Sequence, residues 1–333
     1  MSLPAFKLLR PRTIAEAVEQ LASHSGKIQI LAGGTDLIPS MKQRLFEPEF
    51  VLDIGGIEEL HKIRVVPGLG MEIGALTTLS KLEDSEFVRR SYPVLHEAVK
   101  TVASPLLRNM GTLGGNICLD TRCVWYNQSL TWRKSCGFCI KKDGDLCHVA
   151  PGGTRCWAVF SGDTPAALLC LNAELEIAGS QGFRRIPLQH FYTGLGEARM
   201  KLGPTELLVR VFLPESYAGW RGAYKKLRIR GSIDYPLAGV AVALKKPGNR
   251  VEDARVALTA VNPVPCLVPE APHALIGKIV DEYHATVVGE LAAHVARPLT
   301  TSALTPEYRR EMIKVFARRA VLEAAKNQNG SAN

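Results

Sequence analysis

Apolar positions along this chain recur with a helical period in some stretches and in short continuous runs in others, and the two kinds alternate. Over residues 11–25, Ile14, Ala17, Val18, Leu21 and Ala22 share one helical face, and Thr13 stands where a cap belongs. Residues 27–31 then read as a short strand ending in Ala32-Gly33-Gly34-Thr35-Asp36-Leu37, and 50–54 as another ending at Gly55-Gly56. Helix and short strands in this order predict a small βαβ-like subdomain over residues 1–57.

A second unit follows over 58–215. It has a strand at 73–75, a helix opening at 79–84, and a helix over 92–102 with Leu95, Ala98, Val99 and Val102 on one face. Ser104 and Pro105 end that helix. Farther on come a helix at 165–171, a strand at 173–178 and a strand at 206–213 that stops at Pro214. Residues 216–222, rich in small side chains, predict a linker. Beyond it, 236–244 reads either as helix passing into strand or as one buried strand, and 254–261 as a strand. Pro272 opens a helical turn, 279–296 is helical until Pro298 forbids continuation, and 308–325 reads as an amphipathic helix through Met312, Val315, Phe316, Arg319, Ala320 and Ala324. The pattern predicts a mixed α/β (α+β) chain with a C-terminal α/β domain over 218–326 and a disordered tail at 327–333.

With 333 residues and 46% hydrophobic composition, the chain can bury more than one core. Its net charge of +9 comes from scattered bases without a basic stripe, which argues against nucleic acid and leaves an acidic partner subunit as one explanation. The start MSLPAFKLLRPRT has no secretory apolar core, and no segment reaches the ~20 apolar residues of a membrane span. A cytoplasmic, reducing environment is the expectation.

That expectation bears on the cysteines. Six of the eight, Cys118, Cys123, Cys136, Cys139, Cys147 and Cys156, fall within one segment. In a reducing compartment such crowding points to a metal rather than to disulfides. Cys136 and Cys139 form a CxxC, but no second one follows, unlike the paired knuckles of a zinc ribbon. Unequal, loop-borne spacing suits a [4Fe–4S] cluster, and a structural zinc loop is the alternative. Arg133, Lys134, Lys141, Lys142 and Arg155 would either stabilise a reduced cluster or form a solvated loop face. Cys170 and Cys266 sit in apolar surroundings as small core residues.

Gly33-Gly34-Thr35 lets backbone amides approach a ligand closely, as a pyrophosphate requires, although a plain tight turn has the same composition. Neither GxGxxG nor a phosphate-loop lysine accompanies it. Thr112-Leu113-Gly114-Gly115-Asn116 repeats the glycine pair, and two such pairs could grip one pyrophosphate from opposite sides. No Ser–His–Asp or paired-carboxylate pattern nominates a hydrolytic residue.

AGGTDL at 32–37, TLGGNI at 112–117, Gly162-Asp163 and the block Tyr224 to Arg230 followed by Asp234 together resemble the FAD-binding medium subunits of the molybdenum hydroxylases. The likeness runs from FKLLRP near the N-terminus to Tyr308-Arg309-Arg310. The segment after Asn116, with TLGGNICLDTRCVWYNQS, Cys139, Cys147-His148 and Arg155-Cys156, resembles the beta subunits of the 4-hydroxybenzoyl-CoA reductases within that family.

The resemblance implies a two-subdomain FAD-binding fold of the molybdopterin dehydrogenase type, an Fe–S insertion at about 118–158 and noncovalent FAD. It puts an extra [4Fe–4S] cluster on Cys123, Cys139, Cys147 and Cys156, leaving Cys118 and Cys136 as surplus thiols. Amides around Ala32, Gly33, Gly34, Thr35 and Asp36, with Thr112, Gly114, Gly115 and Asn116, would meet the flavin's phosphates and ribitol. Asp163 would meet the adenosine ribose or neighbouring phosphate, and Lys226 the flavin ring, with Lys225 competing for that place. Arg228, Arg230 and Asp234 would be either part of this site or a structural charge set. Implied partners are a large molybdenum-cofactor subunit, a small subunit with two [2Fe–2S] clusters and a ferredoxin-like donor, in a dimer of heterotrimers. Electrons would reach FAD through the extra cluster and serve reductive removal of a phenolic hydroxyl, with no catalytic residue on this chain. The alternatives are the FAD subunit of a hydroxylase oxidising another aromatic or heterocyclic substrate, and a zinc-stabilised scaffold.

Overall fold

The computed structural model describes residues 2–326, so the tail at 327–333 lies outside the described residues. Strands β1 (Lys7–Leu9), β2 (Ile28–Leu31) and β3 (Phe50–Asp53) form a parallel sheet in the order β1-β3-β2. Helix α1 (Ile14–Ser23) crosses from β1 to β2, capped by Thr13 Oγ1, which accepts from Glu16 N at 3.1 Å, and buries Ile14, Ala17, Val18 and Leu21. Helix α2 (Leu37–Lys42) leaves the glycine turn that ends β2. The pattern did not reveal it, because Pro39 interrupts a helical reading. In a first turn the missing N–H of proline is no loss.

Five antiparallel strands form the second sheet, in the order β4-β5-β8-β6-β7: β4 (Ile63–Val66), β5 (Gly70–Gly74), β6 (Glu174–Gly179), β7 (Gly182–Pro187) and β8 (Leu207–Pro214). The edge strands β4 and β7 have no buried residue, so no alternation marks them in the sequence. Helices Pro93–Lys100 and Thr164–Cys170 cover this sheet and share its core with Trp220, Tyr224, Ala241, Ala243 and Ala257 from farther along the chain.

All of those except Trp220 belong to the third sheet, antiparallel in the order β12-β11-β10-β9: β9 (Arg221–Leu227), β10 (Ala238–Lys245), β11 (Asp253–Thr259) and β12 (Cys266–Leu267). The linker expected at 216–222 gives way to strand at Arg221, and a Cβ on Gly222 would lie 2.5 Å from Val94 N, so glycine lets β9 pack on the helix Pro93–Lys100. All of β10 except Lys245 is buried, one face on those helices and the other on helices Glu282–Val295 and Pro306–Lys326. Burial on both faces removes alternation, which is why 236–244 read ambiguously.

The last helix buries Arg309, Ile313, Ala317, Ala320, Val321 and Ala324 rather than the face through Met312 and Arg319. Arg309 sets this orientation. Its guanidinium donates to Leu237 O at 2.8 Å, Leu299 O at 2.8 Å and Ala260 O at 2.6 Å, and burial brings its pKa down to about 10.

In the chain, the cysteine segment lies between β5 and β6 of the second sheet. Arg122 and Val159 close its neck with two hydrogen bonds of 2.8 and 2.9 Å, and inside it a single short helix, Leu130–Ser135, stands among turns. Among the described residues no helix is long and apolar enough to cross a membrane.

Candidate flavin and cysteine sites

The two glycine loops meet. A Cβ on Gly33 would stand 1.8 Å from Met110 O, so the backbone just before the second loop packs directly on the first. In the first loop Gly34 takes φ +73°, a conformation that favours glycine. The amides of Gly33, Gly34, Thr35 and Asp36 have no hydrogen-bond partner among the described residues. Consecutive open amides at a glycine turn are the donor set that a diphosphate takes, so the residues present fit FAD.

The second loop is built differently. Leu113 N donates to Thr77 O at 3.0 Å, Gly114 N to Ala75 O at 2.8 Å, Gly115 N to Thr112 Oγ1 at 3.0 Å and Asn116 N to Thr112 O at 3.0 Å. Asn116 Oδ1 accepts from Thr164 N at 3.0 Å and Thr164 Oγ1 at 2.7 Å. The expectation that both loops offer amides is therefore corrected. Thr112, Gly114 and Asn116 hold the turn in place, and Gly115 is its exposed point.

Asp163 and Lys226 do not stand apart. Lys226 Nζ donates to Asp163 Oδ2 at 3.0 Å and to Thr101 O at 2.9 Å, and Tyr224 OH donates to Asp163 Oδ1 at 2.8 Å. Both side chains of the ion pair are at most 3% exposed. The two residues expected at different parts of FAD thus form one buried ion pair. Lys225 turns the other way, to Glu323 on the last helix. Asp234 accepts from the amides of Ile229 and Arg230 at 3.1 and 2.7 Å and from the Arg230 side chain, which makes this charge set the frame of the turn after β9.

Cys123, Cys139, Cys147 and Cys156 line one cavity with Trp125, Tyr126, Lys141 and His148. All eight cysteines are free thiols. Cys118 packs instead on the main core, and Cys136 lies beside Ser135. Burial pushes the Cys123 thiol up to about 11, and neighbouring Cys139 and Cys147 add to this. Burial likewise raises Cys156 to about 12, against a hydrogen bond from Ala158 N to its Sγ at 3.3 Å. Such thiols favour the proton until a cationic centre displaces it.

Among the described residues no group of three or more His, Cys, Asp or Glu is arranged to hold a single ion. Four thiols on one cavity are the donor type that a thiolate-bound metal centre uses.

Of the five bases in the segment only Lys141 lines the cavity. It is 5% exposed, donates to Asp120 Oδ1 at 2.9 Å and lies 4.3 Å from the centre of the Tyr126 ring. Burial lowers its pKa, against the raising effect of Asp120. Arg133 and Lys142 are turned to carbonyls of residues 43–45, and Lys134 and Arg155 are exposed. Two residues that the sequence did not nominate complete the region: Arg122 Nη1 at 3.1 Å and Tyr235 OH at 2.9 Å both donate to Oδ1 of Asp36.

Residues 4–216 match the family described as the FAD binding domain in molybdopterin dehydrogenase, and 222–324 the CO dehydrogenase flavoprotein C-terminal domain. The carbon monoxide dehydrogenase medium chain of Afipia carboxidovorans is 32% identical over 320 residues, 96% of each chain. The glyceraldehyde dehydrogenase medium chain of Sulfolobus acidocaldarius is 28% identical over 97% of this chain and 99% of that one. The solved structure of reconstituted CO dehydrogenase from Oligotropha carboxidovorans superposes with a TM-score of 0.81 at 30% identity, covering 98% of this chain and 100% of that one. Matched along nearly its whole length in both sequence and fold, the chain belongs to the FAD-binding medium subunits of the molybdenum hydroxylase and CO dehydrogenase family.

Proposed function

We propose that this chain is the flavin- and iron–sulfur-bearing electron-transfer subunit of a molybdenum-dependent reductase of the 4-hydroxybenzoyl-CoA reductase type. The observation that carries the reading is the cavity lined by Cys123, Cys139, Cys147 and Cys156, the same four thiols that the resemblance nominates for a [4Fe–4S] cluster. Residues 1–57 and 58–215 are read as the two halves around FAD, and 218–326 as the α/β domain that follows them. The molybdenum cofactor and two [2Fe–2S] clusters belong to large and small partner subunits, and a ferredoxin-like protein is the donor. A bound flavin exchanges electrons singly or in pairs, which suits it to a place between one-electron centres. This chain's own part is binding and exclusion of water: open amides at Gly33 to Asp36, a rigid second loop, and apolar and aromatic walls around the thiols, where Trp125 stacks on His148 at 4.5 Å.

A second reading, an oxidising hydroxylase, is favoured by the names of the relatives, which are CO and glyceraldehyde dehydrogenases. The full chain, expressed alone and purified without oxygen, tests the cluster: iron and acid-labile sulfide of about four each per chain support it. Serine at any of the four cysteines should diminish or abolish the paramagnetic signal of the dithionite-reduced protein, and Cys170→Ser should leave it intact. Zinc alone, or a signal that survives loss of all four thiols, sinks the iron–sulfur reading in favour of a zinc-stabilised scaffold. Loss on changing Cys118 or Cys136 instead moves the ligand set. In the whole complex, dehydroxylation of 4-hydroxybenzoyl-CoA by a reduced one-electron donor separates the reductase from the hydroxylase.

A further inference from the structure

The cysteine insertion lies outside the glycine loops in sequence, yet it grips the helix that follows the first of them at both ends. At the start of α2, Arg122 Nη1 donates to Asp36 Oδ1 at 3.1 Å, and the guanidinium lies 3.9 Å from the centre of the Tyr235 ring. Tyr235 OH donates to the same oxygen at 2.9 Å. At the far end Arg133 Nη2 donates to Arg44 O at 2.8 Å and Lys142 Nζ to Leu45 O at 2.7 Å. Leu45 itself is buried with Cys123, Tyr126, Cys156 and Ala158. Arg122 is also the residue next to Cys123 and one half of the neck, so the cysteine site and the glycine loop share one support.

Asp36 stands in the cap position of α2 but makes no cap hydrogen bond. A cap aspartate ordinarily accepts from amides two or three residues ahead, but here Ile38 N donates to Gly34 O at 3.1 Å and Pro39 has no N–H. The carboxylate is held instead by Arg122 and Tyr235, beside loop amides that stay open. The guanidinium also neutralises a negative charge beside the place where a diphosphate would lie.

We propose that Arg122 is a positioning residue for flavin binding: by pairing with Asp36 it fixes and neutralises the carboxylate beside the Gly33-Gly34 loop, where a bare negative charge would repel the diphosphate, and it couples the state of the cysteine site to the affinity for FAD. The inference rests on the reading that the flavin's diphosphate lies on this loop and the cluster on the four cysteines. Coupling of this kind is reciprocal, so FAD in turn steadies the cysteine site.

The measurement is FAD titration of the full chain after removal of its flavin. Arg122→Met should weaken binding about tenfold, within the range of site-to-site coupling, and Arg122→Lys should restore part of the loss. The decisive variant is Arg122→Met with Asp36→Ala. With no bare carboxylate left beside the loop, its affinity should return to that of Asp36→Ala alone. Tyr235→Phe, which removes one donor without changing packing, should weaken binding about threefold and have no effect when Asp36 is Ala. Stripping iron from the wild-type chain should weaken FAD about fivefold.

Wild-type affinity in Arg122→Met, or weakness that persists without Asp36, overturns the role of Arg122. Unchanged affinity after iron removal overturns the coupling. Full FAD affinity in Gly34→Val sinks the placement of the flavin and this inference with it, whereas weak binding in Gly34→Val beside normal binding in Arg122→Met sinks this inference alone.

Discussion

The two glycine loops share a Gly-Gly pair and a neighbouring threonine, and they do opposite things with their amides. In the first, Gly33 to Asp36 keep theirs open, and the nearest carboxylate is held by Arg122 and Tyr235. In the second, Leu113 to Asn116 spend theirs on Thr77, Ala75 and Thr112. We read the first as the loop that receives the ligand and the second as a wall packed against it through Met110 and Gly33. A motif thus specifies a backbone shape. What that shape offers to a ligand depends on which carbonyls happen to face it.

If the second loop is scaffold, breaking its support should cost stability before it costs flavin. The support includes the Asp163–Lys226 pair, one residue before Thr164, which holds Asn116. Lys226→Met leaves a buried carboxylate without its cation and should destabilise the flavin-free chain by about 3–5 kcal/mol in denaturant unfolding. Lys225→Met, whose partner Glu323 is partly exposed, should change it by less than about 1 kcal/mol. Equal losses in the two variants would erase the distinction between the lysines.

Gly34→Val and Gly115→Val compare the loops directly. Valine at Gly34 must adopt a left-handed φ of +73° with Leu31 and Ile38 side chains 3.2 and 3.3 Å from its Cβ. That strain is about 1–2 kcal/mol, and FAD should be lost with it. At Gly115 the Cβ meets only Thr112 Oγ1, at 3.0 Å, so the flavin-free chain should unfold almost as the wild type does while FAD is again lost. Normal flavin content in both variants, read from the absorbance ratio of purified protein, would remove the two-loop site altogether.

The smallest effect isolates the wall. Thr112→Ala deletes the cap on Gly115 N and should cost about 1 kcal/mol of stability with FAD affinity nearly unchanged. A large loss of affinity without loss of stability would mean that the second loop binds the ligand through Thr112 itself.

Much of this architecture is legible in the pattern of apolar positions, and the failures have local causes. α1, the helices on the second sheet and the central strands were visible because each buries one face or a whole run of side chains. β4 and β7 were not, since an edge strand with no buried residue carries no alternation. The face of the last helix was misjudged because Arg309, a base that pattern reasoning places in solvent, is fully buried on it, held by three carbonyls.

At the site, the chain by itself named the glycine pairs and a cysteine-rich segment, because rare residue types at close spacing show without any fold. Family likeness chose four of six thiols, and the structure gathers those four on one cavity while Cys118 and Cys136 fall elsewhere. Which amides are open, that Lys226 meets Asp163, and that Arg122 holds Asp36 were decided only in three dimensions. The Lys226–Asp163 and Arg122–Asp36 bonds join residues 63 and 86 positions apart, and a donor's freedom depends on partners that folding alone brings within reach.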